Sequence, residues 1–454
     1  MKKVLLFLLL IIIAFPVFSS YTLESLEALM MLNSTEILKQ DEVITQAELD
    51  LKDAKANYSP QISATLAGIY MVNPIIGDIY ISANDIYQAL HDTNIKIYDG
   101  MKNTLYMASL DITQPIFTWG KVSNAVKLYE NILEIRNIEK SSIHSQKSVE
   151  LEGYLAAVYY LSEILNEIDD ALILADSLLE ISRNGVESGV VLETDYLEQS
   201  LEKTQLEVQK KNIENNLSSV LGSIMDLTGL EKLSAEDISY TPDESEFSIL
   251  ALLDRNSLKA KATSISNDNM KMASLAESSS ELAVKIAKGS MYGKPDLALQ
   301  VQLGYGGQLF PFLEQNWQKE DSWQLNFTIG LSTTLWDGGK ILNNVKRSES
   351  QLRSASLDKE NAKKEIESAL DDAFSSFDLA MLNRRYYMDL DELYSKQLEI
   401  LENNEMEGYS SSAEVLEKKV QIITNRISLA NENLNALTST LTIKYLTGID
   451  LSNL

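Results

Sequence analysis

From Lys121 to about Asn184 apolar residues recur every three or four positions. Val122, Ala125, Tyr129 and Ile132 lie on one stripe, and Ala171, Leu174, Leu178 and Ile181 on another further along. No proline interrupts the run and Gly153 is its one weak breaker. The spacing predicts a single helix of roughly 64 residues, about 95 Å long at 1.5 Å per residue. Asn184-Gly185 to Ser188-Gly189 supplies a reversal, and a second helix returns through Leu206, Ile213, Leu217, Val220 and Ile224 until Thr228-Gly229 stops it. The same plan recurs from Ile341 to Glu407, with a turn at Gly408 and an end at Thr447-Gly448. Gly185, Gly189 and Gly408 are therefore the expected hairpin-turn residues. Helices this long cannot form the core of one compact domain, and they must pack side by side as coiled coils.

Ahead of each hairpin the period changes from 3.6 to 2. Trp323, Leu325, Phe327, Ile329, Leu331, Thr333 and Leu335 alternate with Gln324, Asn326, Thr328, Gly330, Ser332 and Thr334. Leu297, Leu299, Val301, Leu303 and Tyr305 alternate with Ala298, Gln300, Gln302 and Gly304. Ile62, Ala64 and Leu66, then Tyr106, Ala108, Leu110 and Ile112, repeat the pattern more weakly. Four strands follow, over about 61–72, 104–116, 296–306 and 322–335. One face is apolar; the other carries Gln, Asn, Ser and Thr in place of charge. A membrane β-barrel uses strands of this kind, about 9–11 residues long, with aromatic girdles where Tyr70, Tyr106, Tyr305, Trp323 and Trp336 fall. Four strands cannot close, and an open sheet in lipid leaves edge groups unpaired at several kcal/mol each, so a chain of this kind must associate.

The two hairpins are copies. Gln-Pro-Ile-Phe-Thr-Trp-Gly-Lys, Gln114 to Lys121, aligns with Thr-Thr-Leu-Trp-Asp-Gly-Gly-Lys, Thr333 to Lys340, 219 positions later. The same shift carries Gly189 to Gly408, Leu197-Glu198 to Leu416-Glu417 and Leu227-Thr228-Gly229 to Leu446-Thr447-Gly448. A period this long is a duplicated half-protein, not a solenoid repeat. It divides the chain into a first repeat at 20–230, a connector at 231–256 and a second repeat at 257–454. The connector is acidic, with Pro242-Asp243-Glu244-Ser245-Glu246 in it, and a disordered linker is the alternative reading for its residues 231–247. The loop from Pro60 to Gln114 is 16 residues longer than its match from Pro295 to Thr333, and the extra segment lies near Asn73 to Asn103.

Composition narrows the setting. Lys2 and Lys3, the apolar run Val4 to Phe15, and Val17 and Ser19 form a secretory signal over 1–19, with cleavage near Ser19/Ser20. Its dozen apolar residues fall short of the roughly 20 that a spanning helix needs. The formal charge is −27, which becomes −29 once Lys2 and Lys3 are removed; such an excess argues against nucleic-acid binding and favours an electronegative lumen. There is no cysteine, and the two histidines, His91 and His144, lie far apart. No metal or other cofactor is expected. Gly289-Ser-Met-Tyr-Gly-Lys-Pro295 has a P-loop outline, but with three residues between its glycines and Pro where Ser or Thr should hold Mg²⁺. Nothing else suggests an enzyme. A soluble coiled-coil scaffold or adaptor accounts for signal and helices but not for the strands.

On its duplication, its two strand-to-helix junctions and its Leu-Thr-Gly ends, the chain resembles the TolC-type outer-membrane channel family over essentially the whole mature length. The resemblance implies a mainly α fold with a β-barrel part. In that fold duplicated helical hairpins form a periplasmic α-barrel, joined to four strands per chain of a twelve-stranded trimeric barrel in outer-membrane lipid. It implies a homotrimeric exit duct of a tripartite efflux pump or type I secretion system, docked on a periplasmic adaptor protein and an inner-membrane transporter. Carried over residue by residue, an acidic ring at the aperture falls on Glu414 and Glu417, which are i, i+3 on one helix face. Tip-gate candidates are Asp195 and Glu198 on the first hairpin and Glu405 and Ser410 on the second. The last two stand where the family often has a Tyr and an Arg, so either closure uses other contacts or the resting tip is looser. The resemblance also places the connector in an equatorial belt. The chain ends six residues past Gly448, which implies no long C-terminal tail.

Overall fold

A computed structural model describes residues 20–73, 76–82, 94–98, 102–308, 322–449 and 451. The signal at 1–19, His91, Pro311 and much of the extra first-repeat loop lie outside the described residues. The chain divides into two units. One takes in Gln46–Leu133 and Ala276–Ser356; the other takes in Met1–Thr45, Glu134–Leu275 and Leu357–Leu454.

The first of these units holds the sheet. Helices α1 (Leu23–Asn33) and α2 (Thr35–Ala56) lead to β1 (Gln61–Tyr70); a small hairpin β2 (Ile79–Ser82) and β3 (Asn94–Tyr98) precedes β4 (Thr104–Phe117). Later in the chain come β5 (Asp296–Gly307) and β6 (Trp323–Ser332), and the four long strands pair antiparallel in the order β1-β4-β5-β6. The register puts apolar residues side by side across all four: Ile62, Ile112, Val301 and Phe327 form one row, and Ala64, Leu110, Leu303 and Leu325 the next. The opposite face carries Ser63, Asp111, Gln302 and Asn326 in one row. There the Asp111 carboxylate accepts from Gln302 Nε2 and from Ser109 Oγ, each at 2.8 Å. The apolar face is bare: Leu66 is 85% exposed, Phe327 70% and Ile329 72%.

Two strands end short of the expected bounds. The strand expected over 61–72 ends at Tyr70, opposite Thr104 where β4 begins, and Met71 N–H donating to the Asn103 carbonyl at 2.6 Å is the last rung of that pairing. The one expected over 322–335 ends at Ser332, opposite Asp296 where β5 begins; beyond it Asp337 caps the coming helix, accepting from Gly339 N at 3.0 Å and Ile341 N at 2.9 Å. Tyr106 is buried in the sheet, its ring 5.9 Å from that of Tyr305.

The two strand-to-helix junctions solve one geometric problem with different chemistry. Gly338 and Gly339 take φ of 72° and 87°, whereas the first copy has Trp119 at 53° and Gly120 at 76°. A left-handed tryptophan is strained. It is held by its indole N–H donating to Pro295 O at 2.9 Å, by Phe117 at 5.1 Å, and by Lys294 over its ring at 5.8 Å.

The helices obey the 219-residue shift without slippage. α3 (Lys121–Glu187) is matched by α8 (Lys340–Met406), and α4 (Glu193–Thr228) by α9 (Ser412–Thr447). α4 and α9 end on left-handed Gly229 and Gly448, whose N–H groups donate to Met225 and Lys444 carbonyls, each at 2.8 Å. The unit these helices share has a main core built from Tyr160, Ile164 and Ile168 of α3, Leu370, Phe374 and Phe377 of α8, and Leu437, Leu441 and Ile443 of α9. Among the described residues no helix is long and apolar enough to cross a membrane.

The connector is ordered, so the disordered-linker alternative falls. A short 3₁₀ turn (Ala235–Asp237) precedes α5 (Ser245–Leu252), α6 (Arg255–Ala262) and α7 (Asp268–Gly289), and Tyr21 bridges to Ile238. Phe247 and Leu250 are buried in the main core. Glu244 accepts from Tyr160 Oη at 3.1 Å and pairs with Arg384, while Lys444 reaches Glu246 at 2.9 Å. The positions 219 before Arg384 and Lys444 hold Leu165 and Met225, so the basic partners of Glu244 and Glu246 have no counterpart in the first copy.

Candidate functional site

The hairpin turns are built from four backbone hydrogen bonds that repeat at the 219-residue shift. Ser188, Gly189, Val190 and Val191 N–H donate to the carbonyls of Asn184, Val186, Gly185 and Gly185 at 3.1, 3.0, 2.9 and 3.2 Å. Glu407, Gly408, Tyr409 and Ser410 donate to Asn403, Glu405, Asn404 and Asn404 at 3.2, 3.0, 2.8 and 3.3 Å. Gly189 and Gly408 are left-handed, with φ of 73° and 82°, which is the reason for glycine there. Gly185 lies in the last turn of the helix, which runs to Glu187, and its carbonyl accepts from Val190 and Val191. It is glycine because a Cβ would stand 2.4 Å from Val191 Cγ2. The second turn reverses the sizes, with Asn404 in place of Gly185 and Ser410 in place of Val191. Ser410 is the smaller residue of its pair, with its N–H donating to the Asn404 carbonyl.

The four candidate acids occupy equivalent places, since Asp195 and Glu198 shifted by 219 become Glu414 and Glu417. Asp195 and Glu414 are both the third residue of their helices, where the exposed N–H groups and the helix dipole favour a carboxylate. Their surroundings differ. α9 opens with a capping box: Glu414 N donates to Ser411 Oγ at 3.2 Å, and Glu414 Oε2 accepts from Ser411 N at 2.9 Å. α4 has Leu192 at its N-cap and no side-chain cap, and Asp195 accepts only a 3.2 Å bond from Thr194 Oγ1 among the described contacts. All four acids are exposed, and Glu405 is half-buried, its carbonyl engaged by the turn. Glu414 therefore has a structural task alongside any role in a pore. The Ser411-x-x-Glu414 signature is legible in the sequence, but the acidic reading of Glu414 hid it.

Glu417, one turn on, lines a cavity of about 410 Å³ with Glu202 of α4 and Tyr387 and Tyr394 of α8. Asn425 of α9 also lines it, buried, with its Nδ2 donating to Tyr387 O at 2.9 Å and its Oδ1 left without a donor. A buried acceptor in that condition costs about 1–3 kcal/mol. Lys418 lies 4.7 Å above the Tyr394 ring and donates to Gln397 and Gln421 at 3.0 and 2.8 Å. Sequence reading passed over Glu202 and Asn425, because contacts between separate helices leave no periodic trace.

No family model matches the chain, and no curated protein does. Solved structures do. The outer membrane protein VceC of Vibrio cholerae superposes with a TM-score of 0.72 over 94% of this chain and 96% of its own, at 15% identity. The CmeC outer membrane channel of Campylobacter jejuni gives 0.72 over 95% and 88%, at 13% identity. The outer-membrane channel OprN gives 0.75 over 94% and 90%, at 12% identity. The chain has the TolC-type channel fold. Duplicated long hairpins joined to a four-stranded sheet define the TolC-type plan here, and at identities this low the likeness is one of fold.

Proposed function

We propose that three copies of this chain form an outer-membrane duct, each giving four strands to a twelve-stranded barrel and two helical hairpins to a tunnel. The observation that carries this reading is the sheet. Its apolar face is exposed, β1 and β6 are the outer strands of the sheet among the described residues, and the alternation of strand directions lets β6 of one copy meet β1 of the next antiparallel. In hydrocarbon such edges must be paired and such a face is at home. A soluble scaffold would leave both in water.

As a duct the protein serves a tripartite efflux pump or a type I secretion system, on a periplasmic adaptor and an inner-membrane transporter, after its 1–19 signal has directed export. Glu414 and Glu417 from three chains supply six carboxylates at the inner aperture, with Asp195 and Glu198 as their first-repeat counterparts. Changing both Glu414 and Glu417 to Gln tests the assignment in single-channel recordings. Gln keeps the acceptor oxygen that caps Ser411, so assembly should persist. Cation preference should fall, and block by multivalent cations should weaken at least about tenfold, or 1.4 kcal/mol. Unchanged selectivity would return both residues to an ordinary solvated helix face.

A further inference from the structure

Four helices meet one end of the sheet, where β4 and β6 stop and β1 and β5 start: α2 and α7 arrive there, and α3 and α8 leave. Exposed apolar residues mark that end, among them Phe117, Trp119, Leu331, Leu335 and Trp336. Just beyond them the charge balance of the chain reverses. The helical stretches of this unit, with the segments that join them to the strands, cover 46–60, 118–133, 276–295 and 333–356; eleven of their residues are basic and eight acidic. The whole chain has 39 basic residues against 66 acidic. Three of the acids here are engaged within the unit: Glu130 pairs with Lys55 at 3.6 Å, Glu349 with Lys288 at 2.8 Å, and Asp337 caps α8. Lys127, Lys340, Lys346 and Arg347 are exposed and, among the described residues, form no ion pair. Lys127 and Lys346 are equivalent under the 219-residue shift, so both repeats present a cation at this level.

We infer that this end of the sheet carries a cationic collar for the headgroups of anionic phospholipids. The inference rests on the duct reading, in which the bare apolar face lies in hydrocarbon, and it names the lipid chemistry that fits beside that face. With 1.5 Å of rise per residue, Lys346 and Arg347 stand about 9–11 Å beyond Lys340 on α8. Long side chains that reach toward the interface, and a Debye length of about 8–10 Å, span that distance. Anionic headgroups attract cations so placed, whereas zwitterionic headgroups offer them no net charge. The sister helix has Leu128 where α8 has Arg347, so the second repeat gives the collar its larger share.

The test reconstitutes the assembled full-length protein in bilayers of brominated phosphatidylcholine, which quenches indoles at the membrane, those of Trp119 and Trp336 among them. Unbrominated phosphatidylglycerol should relieve the quenching at about tenfold lower content than unbrominated phosphatidylcholine with the same acyl chains. High salt should bring the two lipids together. Neither comparison needs a variant to fold. Lys340→Gln, Lys346→Gln and Arg347→Gln in combination should abolish the preference. Lys363→Gln, Lys364→Gln and Lys396→Gln, which remove three charges further along the same helix, should leave it intact. Equal relief by both lipids in the wild-type protein overturns the collar and leaves the duct, because quenching itself reports an indole in the bilayer. No quenching by any brominated lipid removes the duct reading, and the collar with it. A preference that survives the first triple variant overturns the assignment to α8; a change of ion selectivity in its place would put these cations in the lumen.

Discussion

Single residues in this chain do work that their type alone does not announce. Glu414 was legible as an acid on a helix face, yet its carboxylate closes a capping box with Ser411. Ser411→Ala should therefore lower thermal stability by about 1 kcal/mol, measured by denaturant melts, while Glu414→Gln should lower it far less; equal losses would mean that the box is not what holds the start of α9. Gly185 was legible as a turn glycine, but it answers to Val191 rather than to backbone angle. Gly185→Ala should destabilise the first turn, and adding Val191→Ser, the arrangement of the second turn, should restore it. Failure of that rescue in melts would disprove the size exchange. A pH effect attaches to Glu152. Burial raises its carboxyl above the usual glutamate range; the nearby Glu246 and Glu27 act in the same sense, against Lys444 and the Tyr240 hydroxyl. The folded state then holds a proton that the unfolded state has lost, so stability falls as pH rises from the ordinary glutamate range toward the raised pKa. Glu152→Gln keeps an acceptor for Tyr240, and its melting temperature should exceed that of the wild type at neutral pH and converge with it in acid. A constant difference at every pH would contradict this.

At the scale of elements, periodicity told most of the story. The change from a 3.6 period to a 2 period located four strands and four long helices, because each element has one apolar face and that face follows backbone geometry. Features depending on contacts across the chain were hidden: the end of β6 at Ser332 where Asp337 takes over the cap, the left-handed Trp119, the small β2–β3 hairpin and the helices of the connector. Strand faces offer a sharp test. Phe327→Lys puts a charge on the bare apolar face and should oppose outer-membrane assembly by about 2–4 kcal/mol if that face meets lipid near the midplane. Thr328→Lys, one residue on and pointing to the polar face, should assemble normally. Heat-modifiable migration on gels reads both, and equal tolerance would show that the faces have been exchanged.

For the whole molecule, the duplication explains why structure and function are spread over two similar halves. The shift of 219 residues holds from the hydrogen bonds of the turns to the glycine caps of α4 and α9. The halves differ where one chain must make a single object of them, at the connector clasped to Arg384 and Lys444 and at the Leu206 and Asn425 positions. Assembly was legible only as a necessity, from the count of strands, since a single chain contains no partner surface to read. The central claim is that three such chains close one barrel. Native mass spectrometry of protein extracted from outer membranes in mild detergent measures it most directly: the account expects a complex of three mature chains, and a species of one chain in the same detergent would contradict it.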